Sequence, residues 1–294
     1  MTWSEAFRDL NVLVVSREGL LSAGATGRDL TAAVQQGHLL RVRRDHYVLP
    51  GTPKPIIRAV RIGGRIGCLS ALAHRGIFAI DSSATHVHLA RTASRPRDPD
   101  RRNRPLGSPR GGATVHWGAL IETGGGNEFS VGVSDALAQV VQCQESRFAI
   151  ASLDNALFTG AIEESEVAEI FRHLPERFQP MRARIDGRAE AGQETVLRLA
   201  LQDAGFHCDL QVILHGVGRV DLIVEGCVIV EADSRLAHDS WELHVRDRNR
   251  DIDAARLGYP TVRPAYGRTM SSTSEVVDAV RQLLLASHNF RVHV

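Results

Sequence analysis

The stretch E-G-L-L-S-A-G-A-T-G-R-D-L-T-A-A-V-Q-Q-G-H-L-L-R-V-R-R-D-H-Y-V-L-P-G, residues 18–51, decides how the N-terminal part of the chain folds. Ser16, just upstream, is a good cap for a helix that turns Leu20 and Leu21 inward and ends near Gly24. Thr26 and Asp29 make a T-x-x-D start for the next helix, with Leu30 and Val34 facing the core. Gly37 stands where a left-handed residue closes such a helix. L-L-R-V (39–42) and H-Y-V-L (46–49) then read as two short strands around Arg43, Arg44 and Asp45, and Pro50-Gly51 ends the unit. Working outward, residues 3–10 predict a first short helix with Trp3, Phe7 and Leu10 on one face.

Helix, helix, turn, helix and basic hairpin is the order of a winged helix-turn-helix. In that geometry the third helix lies in the major groove, where Arg28, Thr31 and Gln35 meet base edges. The hairpin sets Arg41, Arg43 and Arg44 against phosphates or the minor groove. The same elements also build protein-docking modules.

Residues 18–51 resemble the N-terminal winged-helix domain of AbiEi-type antitoxins, the antitoxins of type IV toxin–antitoxin systems. Gly24, Gly37, Leu39, Arg43, Tyr47 and Pro50 hold the pattern positions, and Asp45 stands where glycine is more usual. The resemblance implies a DNA-binding antitoxin that represses its own operon, with its own promoter as double-stranded partner. It also implies a nucleotidyltransferase-type toxin as functional opponent, which such an antitoxin need not touch.

The 294 residues predict three regions: 1–50, a mixed α/β region 51–188, and 189–294. No apolar run approaches the length of a membrane helix, and Glu5, Arg8 and Asp9 interrupt any export signal, so a cytoplasmic protein with no membrane partner is expected. Cys68, Cys143, Cys208 and Cys227 are scattered without a C-x-x-C pair, which argues against a zinc knuckle or a disulfide framework. Lys54 is the single lysine; this excludes a P-loop and leaves only a proline-flanked candidate for Schiff-base chemistry. Residues 1–118 carry 18 basic and 8 acidic residues, a net of +10, whereas residues 119–294 carry 17 and 26, a net of −9. Nucleic acid rewards local rather than total charge, so a basic half fits a polyanion; an unevenly charged surface is the plainer alternative.

In the middle region residues 50–55 read as a linker and residues 70–74 as a short helix stopped by Gly76. T-H-V-H-L (85–89) alternates like a strand, with His86 and His88 on one face and no third metal ligand at a recognisable spacing. Residues 91–112 hold seven Arg, four Pro and three Gly, which predicts a mobile basic loop; it reads equally as a phosphate-tracking arm or a solvated hairpin insertion. Residues 113–117 are then the returning strand. Helices are expected over 134–142, 152–158 and 165–174, followed by a linker over 175–187. The strand, basic loop, strand and following V-G-V-S-D-A-L-A-Q-V-V-Q-C also resemble the central part of AbiEi-like proteins, more loosely.

The last hundred residues predict a helix over 190–204, strands over 211–214, 219–224 and 227–233, a helix over 240–257, a strand over 259–263 and a helix over 274–286. Glu225-Gly226 is a hairpin signal. Asp221 and Glu231 would meet across the sheet as candidate metal ligands, with Glu194 reachable from the preceding helix. Three carboxylates around one point attract Mg²⁺ and activate water for phosphodiester attack. This part resembles the PD-(D/E)xK nuclease superfamily, in its very-short-patch-repair branch. Glu194, Asp221, Glu231, Asp233, His238 and R-D-R-N-R-D match the pattern of its catalytic residues; Ser234 replaces a glycine, and Asp233 occupies the lysine position. The alternative is a nuclease-like scaffold without cleavage, its carboxylates paired with Arg235, Arg246 or Arg250.

The sequence therefore predicts an α/β (α+β) chain: winged helix-turn-helix, mixed middle, restriction-endonuclease-like C-terminal domain. Its first functional expectation is an antitoxin and autorepressor without a cofactor. The alternatives are a Mg²⁺-dependent endonuclease targeted by the winged helix, and a transcription factor whose acidic half senses a ligand or dimerises.

Overall fold

A computed structural model describes residues 2–10, 12–107, 110–121, 125–232 and 241–292. The chain is an α/β protein in two compact units: Met1–Cys143 with Ala168–Leu174, and Gln144–Val167 with Pro175–Val294.

The first unit opens with α1 (Trp3–Asp9), β1 (Val15–Ser16), α2 (Arg17–Ser22), α3 (Gly27–Gln35), β2 (Leu40–Arg43) and β3 (His46–Val48). The local chemistry behind these elements is present. The Ser16 hydroxyl accepts from the Gly19 amide, and Thr26 and Asp29 cap α3 reciprocally. β1 and β2 flank β3, both antiparallel to it. Phe7, Leu20, Leu30, Ala33, Leu39 and Tyr47 fill the core between helices and sheet. Leu10, expected on the buried face of α1, is exposed because the helix stops before it and it serves as the cap. Asp45 takes the left-handed conformation, φ 60°, that a glycine would supply; aspartate is among the few residues that tolerate it.

α4 (Lys54–Ile62) begins inside what the sequence presented as a linker. Its prolines lie at or before the first turn, where no amide needs a partner, so they start the helix rather than prevent it. β4 (Arg65–Ile66), α5 (Cys68–His74), β5 (Thr85–Ala90), β6 (Ala113–Gly118) and α6 (Val133–Cys143) complete the layer. The sheet order is β4-β5-β6. β6 is not the return leg of a hairpin: it pairs parallel to β5 from Thr85↔Ala113 to Ala90↔Gly118. Alternating residues look alike in parallel and antiparallel strands, and the connecting loop is long enough for a crossover.

That loop is held in place along much of its length. Arg58 of α4 forks onto the Asp100 carboxylate at 2.9 and 3.2 Å and reaches the Gly111 carbonyl at 2.6 Å. Arg61 donates to the carbonyls of Pro99 and Asp100, and Pro99 is buried. The expectation of a mobile arm overlooked these donors, which lie forty residues upstream in sequence.

The second unit holds α7 (Ser146–Phe158), and α8 (Glu164–Arg172) follows it in the chain. After Pro175 come a 3₁₀ turn (Glu176–Phe178) and α9 (Gln179–Arg182), where the sequence suggested only a linker. α10 (Gly192–Asp203) precedes β7 (Cys208–Leu214), β8 (Gly218–Val224) and β9 (Val228–Val230). α11 (Trp241–Arg256), β10 (Thr261–Val262), α12 (Tyr266–Ser271) and α13 (Thr273–Val292) follow. The sheet order is β10-β9-β8-β7, with β10 parallel to β9 and the other pairs antiparallel. The hairpin between β8 and β9 turns on Glu225 (φ 50°) and Gly226 (φ 63°), the two left-handed residues of a type I′ turn. No helix among the described residues is long and apolar enough to cross a membrane.

Candidate functional site

Arg28, Thr31 and Gln35 lie at i, i+3 and i+7 on α3, and all three are exposed. The Leu30 and Ala33 side of the same helix is buried, so the helix presents one polar stripe. The Thr31 hydroxyl donates to the Gly27 carbonyl at 3.0 Å, which leaves Arg28 and Gln35 as the readier hydrogen-bonding groups.

The arginines of the β2–β3 hairpin are not equivalent. Arg41 and Arg44 are exposed. Arg43 is half-buried, and its guanidinium donates to the Arg61 carbonyl at 2.8 Å, over Gly63, where a Cβ would collide with it. Burial and the neighbouring Arg97 push its pKa down. Arg43 therefore ties the hairpin to α4, a role that its place in a basic run did not reveal. Arg102 from the long loop donates to the Arg41 carbonyl at 2.8 Å and brings the loop against the hairpin. Between them opens a cleft of about 700 Å³, lined by Arg41, Arg43, Arg44, Arg95, Arg97 and Arg102, with Asp45 its one acidic residue. Six guanidinium groups so placed present five donors each and no acceptor, a geometry suited to phosphate oxygens.

The carboxylates of the second unit are arranged differently. Glu194 is 3% exposed at the start of α10. It accepts from the amides of Glu190 and Ala191 and, at 2.7 Å, from the Gln211 side chain. Burial, then repulsion from Asp221, pushes its pKa up to about 7. Asp221 on β8 accepts from the Ala232 amide at 2.9 Å, and burial raises it too. The pairing Leu222↔Val230 continues to place Asp221 opposite Glu231, as the spacing suggested. Glu231 is buried and raised by that burial, against the opposing pull of Arg263 and Arg250. Arg250 lies 3.2 Å from its Oε1, and Arg263 pairs with its Oε2. The three carboxylates are thus neighbours, but each has protein partners. Asp233 and His238 lie outside the described residues. Of the arginines foreseen as partners, Arg250 fills the role and Arg235 lies outside the described residues; Arg263 was missed because it follows β10, about thirty residues away in sequence. Gln211 sits opposite Asp221 with φ 53°, a strained conformation for a side-chain-bearing residue.

His86 and His88 do share a face of β5, as alternation requires. The parallel neighbour β6 adds His116, whose Nε2 is 3.1 Å from His86 Nδ1. The start of α5 and the end of α6 add Cys68 and Cys143, and the ligand atoms of these four residues lie within 4.8 Å of one another. His88 instead meets the Gln139 amide at 3.1 Å, and burial lowers its pKa to about 4. Hydrogen bonds from Cys68, His116 and His86 hold the Cys143 thiol well below its ordinary range, and the same bond together with burial pushes Cys68 up. No third ligand stands at a recognisable sequence spacing from His86; the parallel strand pairing and two helix ends bring three others to it in space.

Compared with family models and with curated proteins, the chain matches none.

Proposed function

We propose that this chain is a DNA-binding repressor of the antitoxin type, acting on its own promoter and opposing a nucleotidyltransferase-type toxin without needing to bind it. The observation that carries the reading is the arginine-lined cleft beside the hairpin, in the same unit as the exposed Arg28–Gln35 stripe of α3. Phosphate contacts from Arg41, Arg44, Arg95, Arg97 and Arg102 would fix the register, and α3 would read bases in the major groove as a winged helix does. The resemblance of residues 18–51 to AbiEi-type antitoxins supplies the operon and the toxin; the residues themselves supply the DNA-binding logic.

The nuclease alternative is less well supported. Arg250 and Arg263 occupy Glu231, and Glu194 serves the start of its own helix, so a metal would have to displace existing partners.

The test is a binding titration of the full chain on its own upstream duplex and on a scrambled duplex, at about 50 and 200 mM salt, in EDTA and then in Mg²⁺. The expected result is preference for the upstream duplex, a steep loss of affinity with salt, and intact DNA. Equal affinity for the two duplexes would overturn the repressor reading. Mg²⁺-dependent nicking that disappears in Asp221→Ala would replace it with the endonuclease.

A further inference from the structure

The geometry points to a zinc site in the first unit, formed by Cys68, His86, His116 and Cys143. It is independent of the DNA-binding reading. Among the described residues this is the one group of three or more His, Cys, Asp or Glu side chains whose ligand atoms gather closely enough to hold a metal ion.

The donor set fits, and two of its separations lie just either side of the range that a bound zinc needs. Zinc bound to two sulfurs at about 2.3 Å and two imidazole nitrogens at about 2.0–2.1 Å needs donor-to-donor separations of roughly 3.3–3.8 Å. His86 Nδ1 and His116 Nε2 stand 3.1 Å apart, and Cys143 Sγ is 4.0 Å from His86 Nδ1. A tetrahedral set of two thiolates and two imidazoles selects zinc among the common divalent ions, and two thiolates offset its charge. Four protein ligands close the coordination sphere, which makes the site structural.

The surroundings orient the ligands. The second ring nitrogen of His86 faces the Ser82 hydroxyl at 3.4 Å, leaving Nδ1 for the metal. The Cys68 amide donates to the Gln139 side-chain oxygen at 2.9 Å. Cys68 itself has φ 45°, a conformation that persists only where the surroundings impose it. Gly67 permits this arrangement, because a Cβ there would collide with the Gln139 side chain. His86 and Cys68 are buried, His116 is half-buried and Cys143 is exposed, so the ion has an entry path from solvent. The ligands come from β5, β6, α5 and α6, and the metal would tie together both ends of the crossover that carries the basic loop.

The test uses the full chain expressed in zinc-supplemented medium and purified without chelator. Elemental mass spectrometry should find about one zinc per chain. After chelator treatment, Co²⁺ should restore a thiolate charge-transfer band and the visible bands of a tetrahedral ion. Cys143→Ser combined with His116→Gln should abolish these bands and weaken zinc binding at least 100-fold, while circular dichroism checks that the variant is folded. Ser82→Ala, which leaves all four ligands in place, should weaken zinc about tenfold. Three results would each overturn the site: no zinc and no cobalt bands, bands that survive in the double variant, or only two titratable thiols in the unfolded, unreduced protein. The last would mean that Cys68 and Cys143 are joined as a disulfide.

Discussion

Arg44 in the first unit has an 89% exposed side chain and pairs with its chain neighbour Asp45. Arg198 in the second is 4% exposed and holds Asp154, which is fully buried. The contrast runs through both units. In the first, the arginines of the hairpin and the long loop face a common cleft, and Arg43 and Arg102 bond to backbone carbonyls, which occupies their donors without neutralising their charge. In the second, Arg198, Arg250 and Arg263 sit against the carboxylates of Asp154 and Glu231. A guanidinium bonded to a carbonyl still attracts a phosphate; one bonded to a carboxylate does so far less. Local arginine content therefore says little until its partners are known.

Breaking the buried pair is the strongest way to test that contrast. Arg198→Ala should cost about 3–5 kcal/mol, because it leaves the Asp154 carboxylate buried with only Thr195 and the Asp186 amide. Chemical denaturation of the variant reads this directly. A loss below about 1 kcal/mol, the range of exposed pairs, would mean that Arg198 is solvated in solution.

The next effect is a pH dependence. Glu194 has its folded pKa raised from 4.5 to about 7, so between those values the folded protein binds more protons than the unfolded chain. Stability should therefore fall as pH rises from 4.5 to 7, by up to about 3 kcal/mol from this residue at ~1.4 kcal/mol per pKa unit. Asp154, raised to about 6, adds a contribution of the same sign. Glu194→Gln should flatten the profile in that window. An unchanged profile would place the titration elsewhere.

On the DNA side, Arg41→Ala with Arg44→Ala should weaken binding to any duplex and lower the slope of log affinity against log salt by about one to two units. Arg43→Ala should act through its bond to Arg61 and lower the thermal stability of the first unit as well. An undiminished slope in the double variant would remove the hairpin from the interface. Smallest is the base-specific effect: Arg28→Ala or Gln35→Ala should relax preference at one or two base pairs, worth about 1–3 kcal/mol each. A uniform loss over all sequences would mean that α3 touches only backbone.

Much of this was legible in the sequence where the cause is local. The caps at Ser16 and Thr26, the glycine at 37 and the Glu225-Gly226 turn act within a few residues, and their elements stand where the pattern put them. The opposition of Asp221 and Glu231 was also legible, because the short turn between Val224 and Val228 fixes the hairpin register. What escaped depends on residues far apart in the chain: the parallel β5–β6 pairing, the Arg58 and Arg61 anchors of the loop, Arg263 on Glu231, and the meeting of Cys68, His86, His116 and Cys143. None of these leaves a spacing to read, since loop length and strand direction intervene between the partners.

The parallel pairing of β5 and β6 also limits how this protein can change over time. A hairpin loop can shrink to two residues, but this connection must first travel back along six residues of strand, about 20 Å at ~3.3 Å per residue. Some six extended residues of the basic segment are therefore needed merely to span the sheet. Insertions in it should be tolerated freely and long deletions hardly at all, so its composition can drift more readily than its minimum length.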